Sequence, residues 1–531
     1  MSFWSDPRRR IVFCLILLLA ILIRLVFFIG YQGHDDRTYI AYAYYFAQHN
    51  NIGSAHLADP WVTRMAAWLP IALCIKLLGT SQFAIVFYSF LCSIAGVILA
   101  FSLGEFLFDF ETAALGALLL AFFPLDVLYA SRAFADEAIG FFMVLAFFLF
   151  LYGEKKNNAL LMFLGGASAG CAYLHKETAV LFFPPILLYL LFQRRIRLRS
   201  LAFPLIGFLF VASTELFFWK SQTGDPLYHY HALSAVHDYY VPPPPKHFTW
   251  DRILPGPKPD EIFRSHNNFL DALLMFLTHD EFGLLFYLVW PLTIWLSWKR
   301  DRVTQVLRLW FVPITLLLLF FPFQFPGYSV NRDPRYYTCI SIPVLLFVAS
   351  WLMRRRRVVR WCVAGALIVT WLPCVFLAWS SSRMSVERQV LGTMQHNPSA
   401  RFWVSNRLAA DVIILSRFDP SLNLGIYPLA EDIPPTTKKA EISGPIRVMR
   451  ADTPVAETPD SVHSGYVILN QNRFRQAQPS WMLVKKIMPR LDAITSLAER
   501  ILAACGVPAR FVRKLSPSSG EWMEIYRVPD D

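Results

Sequence analysis

The chain has 531 residues, 55% hydrophobic and only 17% charged, with 46 phenylalanines and a formal net charge of +12. Soluble domains carry roughly a quarter charged residues, so this composition argues against an ordinary soluble protein. The basic residues gather in short clusters between apolar runs, as loop charges that orient helices do, which removes the usual case for nucleic-acid binding.

In chain order the candidate membrane spans are 11–30, 83–103, 113–130, 134–152, 159–174, 178–192, 201–219, 282–298, 306–322, 337–353 and 358–380. The first is long enough for a hydrocarbon core of about 30 Å at about 1.5 Å per residue. No small-residue cleavage site follows it, so it is expected to remain as an anchor. With about eleven crossings, Arg8–Arg10, Lys155 and Lys156, the QRRIRLR run, the KRDR run at 299–302 and Arg354–Arg357 all fall on one side, which the positive-inside rule makes cytoplasmic. The stretch AAWLPIALCIKLLG at 66–79 is short for a crossing and is read as interfacial or re-entrant. Counting it as a span would place the later basic clusters outside.

Beyond residue 380 polar and apolar residues mix and Pro, Asp and Asn punctuate short runs. VERQVLGTMQHN has helical spacing, FWVSN, DVIILS, IRVMR and GYVILN read as β-type runs, and Leu491–Ala504 again has helical spacing. The expected organisation is a transmembrane domain over 1–380, with outer-face loops at 31–82 and 220–281, and an extracytoplasmic α/β domain over 381–531. The cysteines are scattered through apolar spans, apart from Cys505 in the tail, and form neither a disulfide framework nor a CxxC motif. They read as small hydrophobic packers.

Helix parity places the unusual polar groups together on the outer face: Asp35 and Asp36 in GHDDRTYIAYAYYFAQ, Arg64, Arg132 with Asp136 and Glu137, His175-Lys176-Glu177, the segment 220–281, and SVNRDPRYY at 329–337. Enzymes there lack cytoplasmic nucleotide sugars but have access to sugars carried on polyprenyl phosphate. Displacing such a sugar needs cations for the leaving phosphate and one carboxylate to take the acceptor's proton. Hydrolysing a glycosidic bond would normally call for a flanking carboxylate pair. Each group also has a plain alternative: a helix cap or first-turn acid for Asp35, Asp36, Asp136 and Glu137, snorkelling for Lys176 and Arg24, an aromatic belt for Tyr336 and Tyr337. VPPPPK at 241–246 reads as a stiff extended piece, and LDALLMFL at 270–277 as a membrane-surface or cleft-covering segment. His229, His231 and His237 read as loop histidines without diagnostic metal spacing.

The motifs HDDRTY with AYAYYFA, PLDVLYASRAFADE ending at Glu137, G-x4-G-x5-K ending at Lys176, TGDPLY at 223–228 and RYY followed by Pro343 occur in an order that resembles a known family. It is that of the GT-C fold, polyprenyl-phosphate-sugar-dependent glycosyltransferases, in the branch of protein O-mannosyltransferases and lipid A aminoarabinose transferases. The resemblance covers most of residues 1–350. It implies a polytopic α-helical membrane protein with a small C-terminal α/β domain, Asp35 as general base with Asp36 as its support, and donor-phosphate or sugar contacts from Arg64, Asp136, Glu137, Lys176, Arg335 and Tyr336. The family's second acid is often Glu and its following Arg is offset slightly from Arg37.

The expected activity is inverting transfer of a monosaccharide from a polyprenyl-phosphate donor to a glycan, lipid or protein acceptor. The expected location is the outer face of the inner (plasma) membrane, in contact with the bilayer and with no nucleic-acid partner. No cofactor is implied, and a divalent metal is left open. A transporter or flippase would instead concentrate ionisable or helix-breaking positions at the midplane. An oligosaccharide ligase or polymerase would share the donor and the face, and an inactive assembly scaffold would make the polar pairs dispensable.

Overall fold

Asp6 and Pro7 start the first helix: the Asp6 carboxylate accepts the Arg8 N–H at 2.9 Å, and Pro7 occupies the first turn, where its missing donor costs nothing. The computed structural model describes residues 6–33, 35–52, 60–192, 198–240, 276–277, 279–297, 302–320, 333–381, 384–419, 426–429, 464–470, 480, 482–487 and 523–528. Within them the helices are α1 (Pro7–Val26), α2 (Asp35–His49), α3 (Met65–Leu78), α4 (Gln82–Leu107), α5 (Phe110–Phe122), α6 (Pro124–Tyr129), α7 (Asp136–Lys156), α8 (Ala159–His175), α9 (Phe183–Phe192), α10 (Leu198–Thr223), α11 (Tyr228–Tyr240), α12 (Leu285–Ser297), α13 (Arg302–Phe320), α14 (Thr338–Met353), α15 (Arg357–Ser381), α16 (Ser385–Gln395) and α17 (Asn406–Leu415). The VPPPPK run, the IRVMR run, Leu491–Ala504, Cys505 and parts of QRRIRLR, KRDR, LDALLMFL and SVNRDPRYY lie outside the described residues.

Two units are formed. The first comprises Met1–Phe28, Arg64–Ala67 and Ser89–Phe376, the second Ile29–Thr63, Trp68–Tyr88 and Leu377–Asp531. Residues 31–52, expected as a loop of the transmembrane domain, thus associate with the C-terminal residues.

In the first unit, helices follow the apolar runs. Gln82–Leu107, Asp136–Lys156, Leu198–Thr223, Pro334–Met353 and Arg357–Trp379 are long and apolar enough to cross a membrane, and Phe110–Phe122, Ala159–His175, Glu177–Phe192, Leu285–Leu296 and Thr304–Leu318 are shorter apolar helices. The span expected over 113–130 is instead two helices. Phe123 turns out into extended backbone ahead of Pro124, because proline disfavours the helical conformation in the residue before it. Small residues set the closest crossings. A Cβ on Gly166 would run into the backbone of Pro204 in α10, one on Gly207 into the Phe163 carbonyl of α8, and one on Gly170 would lie 2.8 Å from Val211. In hydrocarbon, where apolar side chains gain little by leaving lipid, such backbone approach is a main source of helix association. Helix α14 lies at the centre, buried along nearly its whole length, whereas α10 presents Leu205, Leu209, Phe210 and Phe217 outward.

In the second unit a mixed sheet has the order β2-β1-β3-β5-β4, with β1 (Phe402–Ser405), β2 (Ile426–Leu429), β3 (Gly465–Asn470), β4 (Met482–Ile487) and β5 (Met523–Val528). Strand β1 runs parallel to β2 and β3, and β5 is antiparallel to β3 and β4. The run DVIILS, expected as a strand, is helical. Ser405 caps α17 by accepting the Leu408 N–H at 3.2 Å, and the good helix formers Leu408, Ala409 and Ala410 carry the apolar run into the parallel crossover between β1 and β2. Helix α3 (Met65–Leu78) carries exposed Leu73, Leu77 and Leu78.

Gly166→Val is expected to force α8 and α10 apart and lower the melting temperature of the detergent-solubilised protein by several degrees, as overpacking costing about 1–3 kcal/mol does. Gly365→Ala, at a helix position with nothing within 4 Å of the added Cβ, should leave it unchanged or slightly raised. Equal melting temperatures for Gly166→Val and the parent would show that the crossing is not close-packed.

Candidate functional site

Helix α8 ends at His175 because Lys176 turns into fully extended backbone, and a 3-10 turn over Glu177–Phe182 follows. That break releases the lysine side chain from the helix and turns it onto the first turn of α7, where Nζ lies 3.2 Å from Asp136 Oδ1. Both partners are buried, at 5% and 4% exposure, so neither charge is available to bulk water. The Thr338 hydroxyl donates to the Asp136 carbonyl at 2.7 Å, which seats the start of α14 on the same turn. Gly140, one turn further along α7, leaves no room for a Cβ beside Thr338, whose backbone carbon would be 3.0 Å away.

The segment Pro334–Tyr337 brings up the aromatic and the second cation. Asp333 caps it by accepting the Arg335 N–H at 3.2 Å. Tyr336 places its ring 3.8 Å from Lys176 Nζ, a close cation–π contact, and the Arg335 guanidinium stands 5.2 Å over Phe134 and 5.6 Å from Tyr336. Asp136, Arg335, Tyr336 and Thr338 line a small cavity of about 10 Å³, with Ile139, Met143, Leu181 and Leu318 forming apolar walls. Polar groups and apolar walls thus meet around a space about large enough for one water molecule.

Four of the expected donor-site residues therefore come together: Asp136, Lys176, Arg335 and Tyr336. Arg64 joins through its neighbour, with Nη2 3.3 Å from the Glu177 carboxylate. Glu137 points elsewhere. It is hydrogen-bonded to Asp126, which pairs with Arg24. Arg24 does not snorkel: it is fully buried, donates through Nε to Ser93 at 2.6 Å and through Nη1 to the Ala20 and Ala121 carbonyls, and engages Asp126 through Nη2.

A second polar group was hidden in what read as a plain loop. His229 belongs to helix α11 and is buried, with its ring nitrogens on Glu215 of α10 and, at 3.2 Å, on Glu177. Burial alone would favour the neutral ring, but the two carboxylates outweigh it and raise His229 to about 9. His231 pairs at 2.7 Å with exposed Asp225. Among the described residues no group of three or more His, Cys, Asp or Glu side chains is gathered to hold a metal ion.

Asp35 and Asp36 belong to the second unit, where they form the first turn of α2 rather than a cap preceding it. Asp36 is fully buried and its Oδ2 accepts the Gln32 N–H at 2.7 Å, while Asp35 is partly exposed. The neighbouring Arg37 and Tyr31 both bind Asp411 of α17. Burial, with the Asp411 carboxylate beside it, pushes the Tyr31 phenol well above its ordinary range, so it remains a donor.

Residues 62–218 match the family model of dolichyl-phosphate-mannose-protein mannosyltransferases. Among solved structures, ArnT from Cupriavidus metallidurans bound to undecaprenyl phosphate superposes with a TM-score of 0.59 at 12% identity, over 90% of this chain and 96% of that one. The apo oligosaccharyltransferase of Archaeoglobus fulgidus gives 0.53 at 13% identity, over 89% and 71% of the two chains. The same archaeal enzyme tethered to an acceptor peptide containing the NVT sequon gives 0.51 at 13% identity, over 89% and 70%. No curated protein sequence matches the chain. The chain is a multi-pass membrane protein with the GT-C fold, and its likeness to the mannosyltransferase model supports a glycosyltransferase that uses a lipid-linked sugar.

His229 gives a pH dependence of known sign. Because its value in the folded protein lies above the ordinary 6.5, the stabilisation is complete below about 6.5 and is lost as pH rises through about 9. Thermal unfolding between pH 6 and 10 should show a decline on the alkaline side that His229→Gln lacks. An identical decline in the variant would remove this assignment.

Proposed function

We propose that the protein is an inverting glycosyltransferase that moves a monosaccharide from a polyprenyl phosphate to an acceptor hydroxyl on the outer face of the plasma membrane. The observation that carries this reading is the cluster of Lys176, Arg335 and Tyr336 beside Asp136. A phosphomonoester leaving group departs largely ionised, so it needs cations held ready where its charge develops more than it needs an acid. Lys176 offers a point charge and Arg335 a planar donor fork suited to phosphate oxygens. Asp136 holds the lysine in place before the phosphate arrives, Tyr336 covers it, and Arg64 adds positive charge through the Glu177 side. Glu137 takes the role of a structural acid, tied through Asp126 to Arg24.

On the acceptor side Asp35 is the general base and Asp36 its support, because Asp36 already spends one oxygen on the Gln32 amide and has no exposed surface. The acceptor oxygen attacks the anomeric carbon as Asp35 takes its proton, the carbon–oxygen bond to phosphate breaks, and the electron pair leaves on the polyprenyl phosphate. A single displacement of this kind inverts the anomeric centre. ArnT's bound undecaprenyl phosphate and the oligosaccharyltransferase's tethered acceptor peptide support a lipid-linked donor for this chain and leave glycan, lipid and protein acceptors in play. Residues 381–531 are proposed as an extracytoplasmic α/β domain and residues 1–380 as the transmembrane domain.

Purified protein offered polyprenyl-phosphate mannose and aminoarabinose, with mass spectrometry of envelope glycans from cells with and without the gene, tests the reading. A single missing sugar identifies donor and acceptor together, whereas unchanged glycans in the deletion and no release of polyprenyl phosphate from either donor would overturn it. Asp35→Asn should abolish transfer without unfolding the protein, and a folded variant turning over at the parental rate would remove the base assignment. Lys176→Ala should weaken binding of undecaprenyl phosphate on the order of ten- to a hundredfold, the scale of one charge-assisted hydrogen bond. Equal affinity in parent and variant would remove the phosphate clamp.

A further inference from the structure

The second unit contains a buried carboxylate with no part in the proposed reaction. Asp411, on helix α17 of the C-terminal region, is 3% exposed. Its Oδ1 accepts from Arg37 Nε at 2.6 Å, with Arg37 Nη2 also at 2.6 Å, and it accepts from the Tyr31 hydroxyl. Arg37 in turn donates through Nη2 to the Gly33 carbonyl. These two donors bracket residues 32–36, the stretch that turns into α2 and carries Asp35 and Asp36.

The same helix end is also fastened to Tyr44, Thr80 and Gln82. Gln82 accepts the Tyr31 N–H at 3.0 Å and donates to the Ile414 carbonyl at 3.4 Å. Thr80 donates to the Arg417 carbonyl at 3.0 Å, and the Tyr44 ring lies flat on Phe418, centroids 3.8 Å apart. Arg417 and Phe418 both have left-handed backbone, φ +61° and +60°, a conformation that needs surrounding contacts to hold it. Gly33, at φ +90°, turns so close to Met384 that a Cβ would come within 2.8 Å of its methyl. A buried carboxylate accepting from a guanidinium and a buried phenol at once has little freedom to re-aim.

We propose that Asp411 is a positioning residue for sugar transfer: by clamping Arg37 and Tyr31 it sets the direction of the first turn of α2 and with it the Asp35 carboxylate. The proposal rests on the reading of Asp35 as the base. A carboxylate that served only the stability of its own sheet and helices would leave the local opening of residues 32–38 and the turnover of folded protein unaffected.

The test uses the full-length protein in lipid nanodiscs, comparing the parent with Asp411→Asn, Asp411→Glu, Arg37→Gln and the Arg37→Gln/Asp411→Asn double variant. Asp411→Asn should speed hydrogen exchange of amides 32–38 tenfold or more while residues 136–156 stay at the parental rate. Turnover at saturating donor should fall at least tenfold, and affinity for undecaprenyl phosphate should stay within twofold. Asp411→Glu should recover part of the turnover, and the double variant should be no slower than Arg37→Gln alone. Unchanged exchange at 32–38 overturns the proposal, as does faster exchange with parental turnover. If Asp411→Asn does not fold, Tyr31→Phe and Arg37→Lys each remove one side of the clamp and carry the same measurements. Asp35→Asn, run alongside, separates the two readings: parental turnover there removes the base, while the exchange at 32–38 still reports on Asp411.

Discussion

The ion pair between Lys176 and Asp136 is the constraint on which the candidate site depends. Burying two charges carries a desolvation cost that their attraction repays only with good geometry and further hydrogen bonds, and removing one partner from such a pair typically costs about 3–5 kcal/mol. That penalty makes the pair a strong geometrical fastener. It fixes the break after α8 against the first turn of α7, and the Thr338 hydroxyl on the Asp136 carbonyl brings in the start of α14, so three chain segments meet at one point. Arg335 and Tyr336 occupy their places because Pro334–Tyr337 leads directly into that helix. A cation held before its anion arrives needs little reorganisation when charge develops, which is the arrangement that phosphate departure calls for.

Much of the helical framework was legible in the sequence because a membrane span announces itself locally, through some twenty apolar residues and the charges that bound them. Legibility failed where a short-range cue competed with the run. Pro124 splits 113–130 in two, and the Ser405 cap with Ala409 and Ala410 makes a helix of DVIILS, since a short apolar run has no period long enough to tell strand from helix. The convergence of Asp136, Lys176, Arg335 and Tyr336 could be anticipated from their common position at span ends. Their partners could not. Arg24 reaches Asp126 across 102 residues and Tyr31 reaches Asp411 across 380, and nothing in either local sequence names the other. His229 was similarly hidden, because its two carboxylates come from separate elements.

The buried charges of the first unit also differ in what they leave available. Around Arg24 every nitrogen of the guanidinium is engaged: Nε by Ser93, Nη1 by two helix carbonyls and Nη2 by Asp126, which also accepts from Ser93 at 2.5 Å. Such a group is complete, and its chemistry is that of a bolt joining α1, α4 and the α5–α6 junction. Ionisable residues within membrane helices are costly enough to be read as functional by default, yet here full satisfaction argues for a structural role. The Lys176 group is built from the same kinds of residue with a different outcome. Among the described residues its cation has one carboxylate and one aromatic face, and its partners Asp136 and Tyr336 line a small cavity. An ammonium group carries three donors, and the contacts to Asp136 and Tyr336 leave capacity for a further acceptor. That remaining capacity distinguishes a candidate binding site from a bolt, and it is why Lys176 is the proposed phosphate contact rather than the more deeply buried Arg24.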